Sequence, residues 1–500
     1  MSQVDGHEIY DPQGLRFRVA TRPLGGTMRL SVLRDGESLV IEVPLLAPPE
    51  EPPRDIRALS GNHPLAGLTV GNLSPAFAEE LGLDPNKTGV IVLKADRGPA
   101  ARLGLRPADM IVRIGERVID TTATLEEVMS RPDAGRSFRC AVLSVVKHAY
   151  VPRGVSAHPR FELVVVADDP ASADWTHLRN QQFADEFGIP YVRNVEQAIE
   201  EYDVQVAVVS SEAERHCELS ARAADLGLHV VQDKPMSNSV EECGRVVKAC
   251  EENGVKFLMW NRNFLPAVMH AREIVSSGQI GTPYAIHVDF YFAKDCGPPQ
   301  GSRKPGDPPI DWLQRQIEAH ADGSDGGVGR DPMGELTIEG IYPLAYIRML
   351  TGAEVERVFA RTTAHFHQAN VDNDVEDLAT VTLEMQGGLI GSLSIGRIGA
   401  ASHPDIGEIK IHMLGSKGGL VISEARPEVA VYFRGQPPAA FRRRRVAVDN
   451  DYQLMQNFAD AIDNDGETIL DARAGRAICA TVDAAVRSGK TGRPVDVDSL

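Results

Sequence analysis

Near the middle of the chain, the run Val230-Val231-Gln232-Asp233-Lys234-Pro235-Met236-Ser237 delivers a lysine at the end of a short apolar stretch and then stops at a proline. Burying an ammonium without a partner is costly, so Lys234 belongs at a strand end rather than inside the strand. In an open parallel sheet the carboxyl ends of the strands face the ligand crevice, where a fixed cation can hold the oxygen of a reacting C–O bond. A solvated lysine at the start of a loop is the plain alternative. A second candidate is Asp168-Asp169, which closes the apolar stretch Phe161 to Ala167. A carboxylate at such a strand end can accept hydrogen bonds from a ribose 2′-hydroxyl, which favours NAD over NADP, or the aspartates can simply begin a turn.

These groups need a scaffold of alternating strands and helices. The pattern predicts strand 161–167, a helix near 180–187, strand 190–192, helix 195–202, strand 204–209, a helix from Ala213 to Leu226 stopped by Gly227, and the strand ending at Lys234. Such alternation points to an α/β fold with a Rossmann-type parallel sheet. Where that fold would place its glycine-rich turn, the chain reads Ser144-Val145-Val146-Lys147-His148-Ala149, with no GxGxxG. Further on, helix 267–276 and helix 334–350 flank a stretch rich in Gly, Pro and Asp over 295–335, which reads as an active-site loop or lid with glycines at 323, 326, 327 and 329. Alternating strands at 284–292, 355–362, 377–385, 388–394, 409–414 and 419–422 predict an α+β domain with a large antiparallel sheet, closed by helices 452–462 and 472–486. Arg442 to Arg445 reads as a solvated basic edge.

A net charge of −18 on 500 residues argues against nucleic acid and anionic membranes as partners. No signal peptide or apolar stretch of membrane-spanning length is present, so the expected compartment is the cytoplasm. Six cysteines, at 140, 217, 243, 250, 296 and 479, are scattered without zinc-ligand spacing and read as reduced, mostly buried thiols, with no metal expected.

The first 140 residues differ in character. Met28 to Leu33 and Leu39 to Leu45 flank Arg34-Asp35-Gly36, a hairpin signal, and Ala47 to Pro53 is a proline-rich acidic run expected to act as a semi-rigid linker. Residues 1–46 resemble the back half of a PDZ domain. Residues 63–140, with Gly67-Leu68-Thr69-Val70, Gly98-Pro99-Ala100-Ala101 and Ala108-Asp109-Met110-Ile111, resemble the PDZ domains of HtrA-type serine proteases, without the protease domain. The resemblance implies a β-rich module whose Gly67, Leu68, Thr69 and Val70 hold the carboxylate of a peptide C-terminus added to a sheet edge. Phe138 to Val146 fits either this module's last strand or the first strand of the α/β domain.

From about residue 140 to 500 the chain resembles the Gfo/Idh/MocA (glucose-fructose oxidoreductase / inositol dehydrogenase) family. The residues that carry the resemblance are Asp233-Lys234-Pro235, where the family has Glu-Lys-Pro, with His216, Gly278-Gln279-Ile280-Gly281 and Leu414-Gly415-Ser416-Lys417-Gly418. It implies a nucleotide-binding domain over 141–260, a substrate and oligomerisation domain over 261–500, a homo-oligomer, and an NAD(P)-dependent oxidoreductase for a sugar, polyol or related hydroxy or keto substrate. It places His148, Asp168, Asp169, Ser210, Ser211, His216, Asp233, Lys234 and Pro235 at the cofactor, and Arg262 and Tyr342 at the substrate. The family's catalytic helix carries Asp, His four residues on and Asp three beyond. Here these positions hold Ile338, Tyr342 and Ala345, which leaves two readings. Either Tyr342 shares a proton with Lys234, acidified by the ammonium, or it packs at the pocket rim. Likewise, the whole protein is either a dehydrogenase or a catalytically degenerate binding scaffold with a peptide-binding module.

Overall fold

The computed structural model describes residues 3–60, 65–95, 100, 105–114, 117–130, 137–145, 149–292, 313, 316, 332–397, 408–423, 428–433, 439–441 and 450–497. Most of the expected loop or lid over 295–335, including its glycines at 323, 326, 327 and 329, lies outside them, as do His148 and Arg442 to Arg445. Two compact units are present, Met1–Gly61 with Leu65–Arg131, and Pro132–Leu500 with Asn62–Pro64.

In the first unit, β1 (Gln3–Val4), β2 (His7–Glu8), β3 (Thr27–Arg34) and β4 (Glu37–Pro44) form a sheet in the order β2-β1-β3-β4. The β3–β4 hairpin turns at Asp35 and Gly36, both at positive φ, as the Asp-Gly signal requires. A second sheet has the order β5-β6-β7-β8, built from Arg57–Ala58, Leu68–Asn72, Val90–Ala95 and Met110–Ile111, beside the small hairpin of β9 (Arg113–Ile114) and β10 (Arg117–Val118). Two sequence expectations change here. The proline-rich run is no free spacer, because Pro49, Pro53 and Arg54 carbonyls accept hydrogen bonds from Ala76 N, Asn72 Nδ2 and Asn72 N. Nor is Gly67 to Val70 an open edge for a peptide. Residues 57–58 pair antiparallel with Val70 and Thr69 on one side of β6, β7 takes the other side, and Gly67 N–H donates to Leu59 O.

The second unit opens with the strand that two domains compete for in the sequence. β11 (Phe138–Leu143) pairs in parallel with β12 (Phe161–Ala167) on one side and β14 (Val206–Val209) on the other. A strand buried on both faces needs a continuous apolar run, and Phe138, Cys140, Ala141, Val142 and Leu143 are all fully buried. With β13 (Tyr191–Val192), β15 (His229–Gln232) and β16 (Phe257–Met259), the parallel sheet has the order β13-β12-β11-β14-β15-β16. The chain reverses direction across the sheet between β11 and β14, which puts the ligand crevice at their carboxyl ends.

The other half is a nine-stranded sheet made of β17 (Pro283–Phe292), β18 (Val355–Thr363), β19 (Leu378–Met385), β20 (Ile390–Arg397), β21 (Glu408–Gly415), β22 (Gly418–Ser423), β23 (Glu428–Phe433), β24 (Ala439–Phe441) and β25 (Val495–Asp496). Its order is β24-β23-β22-β21-β17-β20-β19-β18-β25, antiparallel except for the parallel β17–β20 pair. Two late helices tie the halves together. The helix Ala472–Thr491 packs on the helix Val240–Asn253, on β16 and on β18. Its Gly475 comes so close to Met236 that a Cβ would lie 2.7 Å from the sulfur. The helix Asn450–Asp463 packs on Tyr150–Ser156, and its Phe458 stacks with Phe161 of β12. Cys140, Cys217, Cys243, Cys250 and Cys479 are buried free thiols. Among the described residues no helix is long and apolar enough to cross a membrane.

Candidate active site

Asp233 and Lys234 follow directly on β15, at the carboxyl edge of the parallel sheet. The strand's last side chain, Gln232, is fully buried; it accepts from Ser220 Oγ at 2.7 Å and donates to Met236 O at 3.1 Å, which fixes the loop beyond the lysine. His216 braces the same loop, with its ring nitrogens 2.7 Å from Pro235 O and 3.0 Å from Ser211 O. Lys234 Nζ then lies 2.9 Å from Glu339 Oε1 and 3.2 Å from Ile338 O. Asp233 turns the other way and accepts from its neighbour's Lys234 N–H at 2.7 Å and from Tyr150 OH at 2.6 Å. Burial pushes the Asp233 carboxyl up, against the pull of His216, Tyr150 and Lys234.

The partners of Lys234 come from a helix interrupted at Gly340, which ends Glu335–Glu339 and starts Ile341–Thr351. Arg397, the last residue of β20, reaches the same place, with Nε 2.9 Å from Glu335 Oε2 and Nη2 3.4 Å from Glu339 Oε1. Burial alone would raise Glu339, but Lys234 and Arg397 outweigh it and hold the carboxyl below its ordinary range. Glu335 feels more burial than compensation from Arg397 and is pushed up to about 6. Tyr342 offers its ring to two cations, 5.7 Å from Lys234 Nζ and 5.6 Å from the Arg262 guanidinium carbon, a cation–π arrangement. Its hydroxyl is raised well above the usual phenol value, first by burial and then by Glu339. The expected acidification of Tyr342 by Lys234 is therefore reversed, because burial and then the Glu339 carboxylate raise the hydroxyl, while the ammonium faces the ring.

At the other end of the crevice, β11 runs into a turn where Ser144 has φ +58° and Ala149 φ +44°. These are the first and last positions of the G-x-G-x-x-G spacing, 144, 146 and 149. Ser144 and Ala149 keep a left-handed backbone without glycine, at a cost of about 1–2 kcal/mol per residue. Ser210, just after β14, is fully buried and its Oγ has no hydrogen-bond partner among the described residues. An orphaned polar group at the switch point suits a polar ligand lying across the strand ends.

A model of the Gfo/Idh/MocA oxidoreductase family, NAD-binding Rossmann fold, matches residues 146–261, and its C-terminal alpha/beta domain model matches 326–497, together more than half of the chain. The chain belongs to this family. It is 26 % identical over 354 residues to an inositol 2-dehydrogenase of Rhizobium meliloti, covering 69 % of this chain and 94 % of that one. It is 24 % identical over 370 residues to the scyllo-inositol 2-dehydrogenase (NAD(+)) of Bacillus subtilis, covering 72 % and 96 %. The structure of a levoglucosan dehydrogenase in complex with NADH and L-sorbose superimposes with a TM-score of 0.60 at 18 % identity, over 73 % of this chain and 100 % of the other.

As a Gfo/Idh/MocA member the chain has an NAD(P)-binding Rossmann domain, and the crevice, the left-handed backbone at Ser144 and Ala149, and Ser210 fit a dinucleotide. Asp168 does not fit its expected part. Its side chain is wholly buried and already engaged by Arg215 Nη2 at 2.7 Å, Ser172 Oγ at 2.7 Å and Asn180 Nδ2 at 2.9 Å, so no lone pair faces a ribose. Burial works to raise this carboxyl, but the Arg215 guanidinium holds it below the ordinary range. Asp169, about a quarter exposed, is the acidic group left at the rim, with Arg222 Nη1 2.8 Å away.

Sequence reasoning missed Glu335, Glu339, Arg397 and Tyr150. Positions 338, 342 and 345 hold no carboxylate, so a position-by-position match to the family pattern shows none. The carboxylate is displaced by one residue, from 338 to 339, and from there it reaches Lys234 Nζ. The available signal was Glu335-x-x-x-Glu339, two acids on one helical face in an otherwise apolar segment.

Proposed function

We propose that the protein is a dehydrogenase for a sugar, polyol or related hydroxy or keto compound, with Lys234 and Glu339 at its chemical centre. One observation carries this reading. Lys234 sits at the crevice edge with two of its three N–H groups occupied, by Glu339 and Ile338 O, and the third has no partner among the described residues. The nicotinamide, when bound, supplies or accepts the hydride. Lys234 directs its remaining N–H at the substrate oxygen, where it stabilises developing negative charge. In alcohol oxidation Lys234 passes one N–H proton to the ionised Glu339 and takes up the hydroxyl proton, so the ammonium is restored and Glu339 holds the charge-balancing proton. Arg262 and the Tyr342 ring wall the substrate side. Asp169 at the rim favours NAD. The open face of the nine-stranded sheet, left by its in-out alternation, supports a second copy of the chain as its partner.

A degenerate binding scaffold is the second reading. Ser144 and Ala149 in place of glycines favour it, as does the Arg215–Asp168 ion pair reaching from beyond β14 to the end of β12. Titration with NADH by fluorescence separates the two: the dehydrogenase reading expects saturable quenching or energy transfer, and silence at millimolar NADH abandons it. Turnover is then sought with inositols, aldoses and linear polyols. The proposal rests on residues 138–497, since the edge at residues 67–70 is already paired within its own unit. Deleting residues 1–135 retains β11 and is expected to leave NADH affinity within a few-fold. A loss well beyond that in a folded product would show that the first unit contributes to cofactor binding.

A further inference from the structure

Arg397 closes β20 and is 6 % exposed, on an element the dehydrogenase reading does not otherwise use. Its guanidinium forks between Glu335 and Glu339 of one short helix, and the Glu339 oxygen it touches is the one that meets Lys234. A carboxylate shared by two cations from different elements has little freedom to rotate. A carboxylate facing Lys234 alone would turn with that flexible side chain.

We propose that Arg397 is a positioning residue for the reaction, acting on Lys234 through Glu339, with Glu335 as the counter-carboxylate that keeps the guanidinium aligned. This rests on the reading of Lys234 as the residue that holds the substrate oxygen. Arg397 carries no proton in the cycle, because guanidinium does not release one. What it supplies is orientation and fixed positive charge.

The charges around Glu339 decide the expected pH behaviour. Lys234 faces it from the loop after β15, Arg262 from beyond β16, Arg397 from β20, Glu335 from its own helix, and Tyr342 and Tyr150 from their helices. Glu376, ahead of β19, faces Glu335, and Lys490 lies near Glu376. Three cations thus oppose Glu339, while Glu335 and Glu376 sit where burial favours their protonated forms. Removing one cation from a buried carboxylate raises its pKa by about 1–3 units.

The test compares Arg397→Gln and Arg397→Lys in the full-length protein. For Arg397→Gln, the acid limb of kcat/KM is expected to move up by about one pH unit or more. Its kcat is expected to fall by about 10²-fold, as small misplacements of catalytic groups do, with KM and NADH affinity little changed. Arg397→Lys keeps the charge but not the fork, so it should return the acid limb to its wild-type place while recovering kcat only in part. Equal losses in both variants with an unmoved limb would show a purely structural role and overturn the proposal. An absence of wild-type turnover on every polyol and sugar tried would count against the dehydrogenase reading, and the positioning role would then be read directly. The 13C-carboxyl signal of Glu339, assigned by its loss in Glu339→Gln, must titrate at higher pH in Arg397→Gln. An unshifted titration would overturn the inference on its own.

Discussion

Lys234→Met is expected to lower kcat by about 10²–10³-fold, or about 3–4 kcal/mol of transition-state stabilisation, as loss of one preorganised donor does. NADH affinity should hardly change. Methionine keeps the length and apolar stem of lysine and removes only the charge. The partner left behind is Glu339, buried with Arg397 as its remaining ion pair and Arg262 nearby, so Lys234→Met will also cost some stability, which a thermal melt measures. Glu339→Gln should lower kcat by a comparable factor. The double variant should lose much less than the product of the two, because groups that act as one unit are not additive. Tyr342→Phe keeps the ring that both cations face and should cost only a few-fold. Near-normal turnover by Lys234→Met would make the lysine an ordinary loop residue and remove the basis of the proposed function.

The second large effect concerns stability rather than rate. Glu376 lies just ahead of β19 with its carboxyl buried and one oxygen, Oε1, without a hydrogen-bond partner among the described residues. Burial pushes its pKa up to about 7, only partly offset by its own N–H and that of Leu336, and the neighbouring Glu335 adds to the rise. In the unfolded chain the same group releases its proton near 4.5. Between these values the folded protein holds a proton that the unfolded chain has lost, so stability falls as pH rises. The contribution is fully present below about 4.5 and is lost as pH passes through about 7, about 3 kcal/mol in all. Glu335, raised to about 6, acts in the same sense over a narrower window. Glu376→Gln keeps the acceptor for Leu336 N–H and removes the ionisation. It should therefore flatten the fall in unfolding free energy between pH 5 and pH 8, measured by urea denaturation, and be the more stable protein at pH 8. A variant whose stability tracks the wild type across that range would show that Glu376 ionises freely in the fold.

Much of the architecture was legible because it rests on periodicity. The apolar runs at Leu163–Ala167 and Val206–Val209 suit strands buried on both faces, and the alternation through Leu378–Met385 and Ile390–Arg397 is that of a sheet open on one side. The Asp-Lys-Pro segment was placed correctly at a strand end by the cost of burying a charge. The misses share one physical origin. Side-chain direction depends on phase, and a carboxylate one residue past the expected place lies on a different part of the helix, so only the packed structure shows that Glu339 meets Lys234. Asp168 was recognised as a strand-end carboxylate, but its claim by Arg215, 47 residues away, is a tertiary event that no local pattern carries. The strand Phe138–Leu143 was ambiguous for the same reason, since its apolar run suits any core and only its pairing partners decide.

The helix Ala472–Thr491 has a consequence for how the molecule is made. It lies on β16 and the Val240–Asn253 helix in one half and on β18 in the other, while Asn450–Asp463 covers the face of the parallel sheet near β12. Both halves therefore wait for segments synthesised some 300 residues after β11, on the order of tens of seconds later at 5–20 residues per second. Until then Phe161, Trp260 and Met236 lack part of their cover, and the nascent chain has nothing finished to protect. The two halves should accordingly mature together after synthesis and melt together in one calorimetric transition, although each looks, element by element, like a domain that would stand alone.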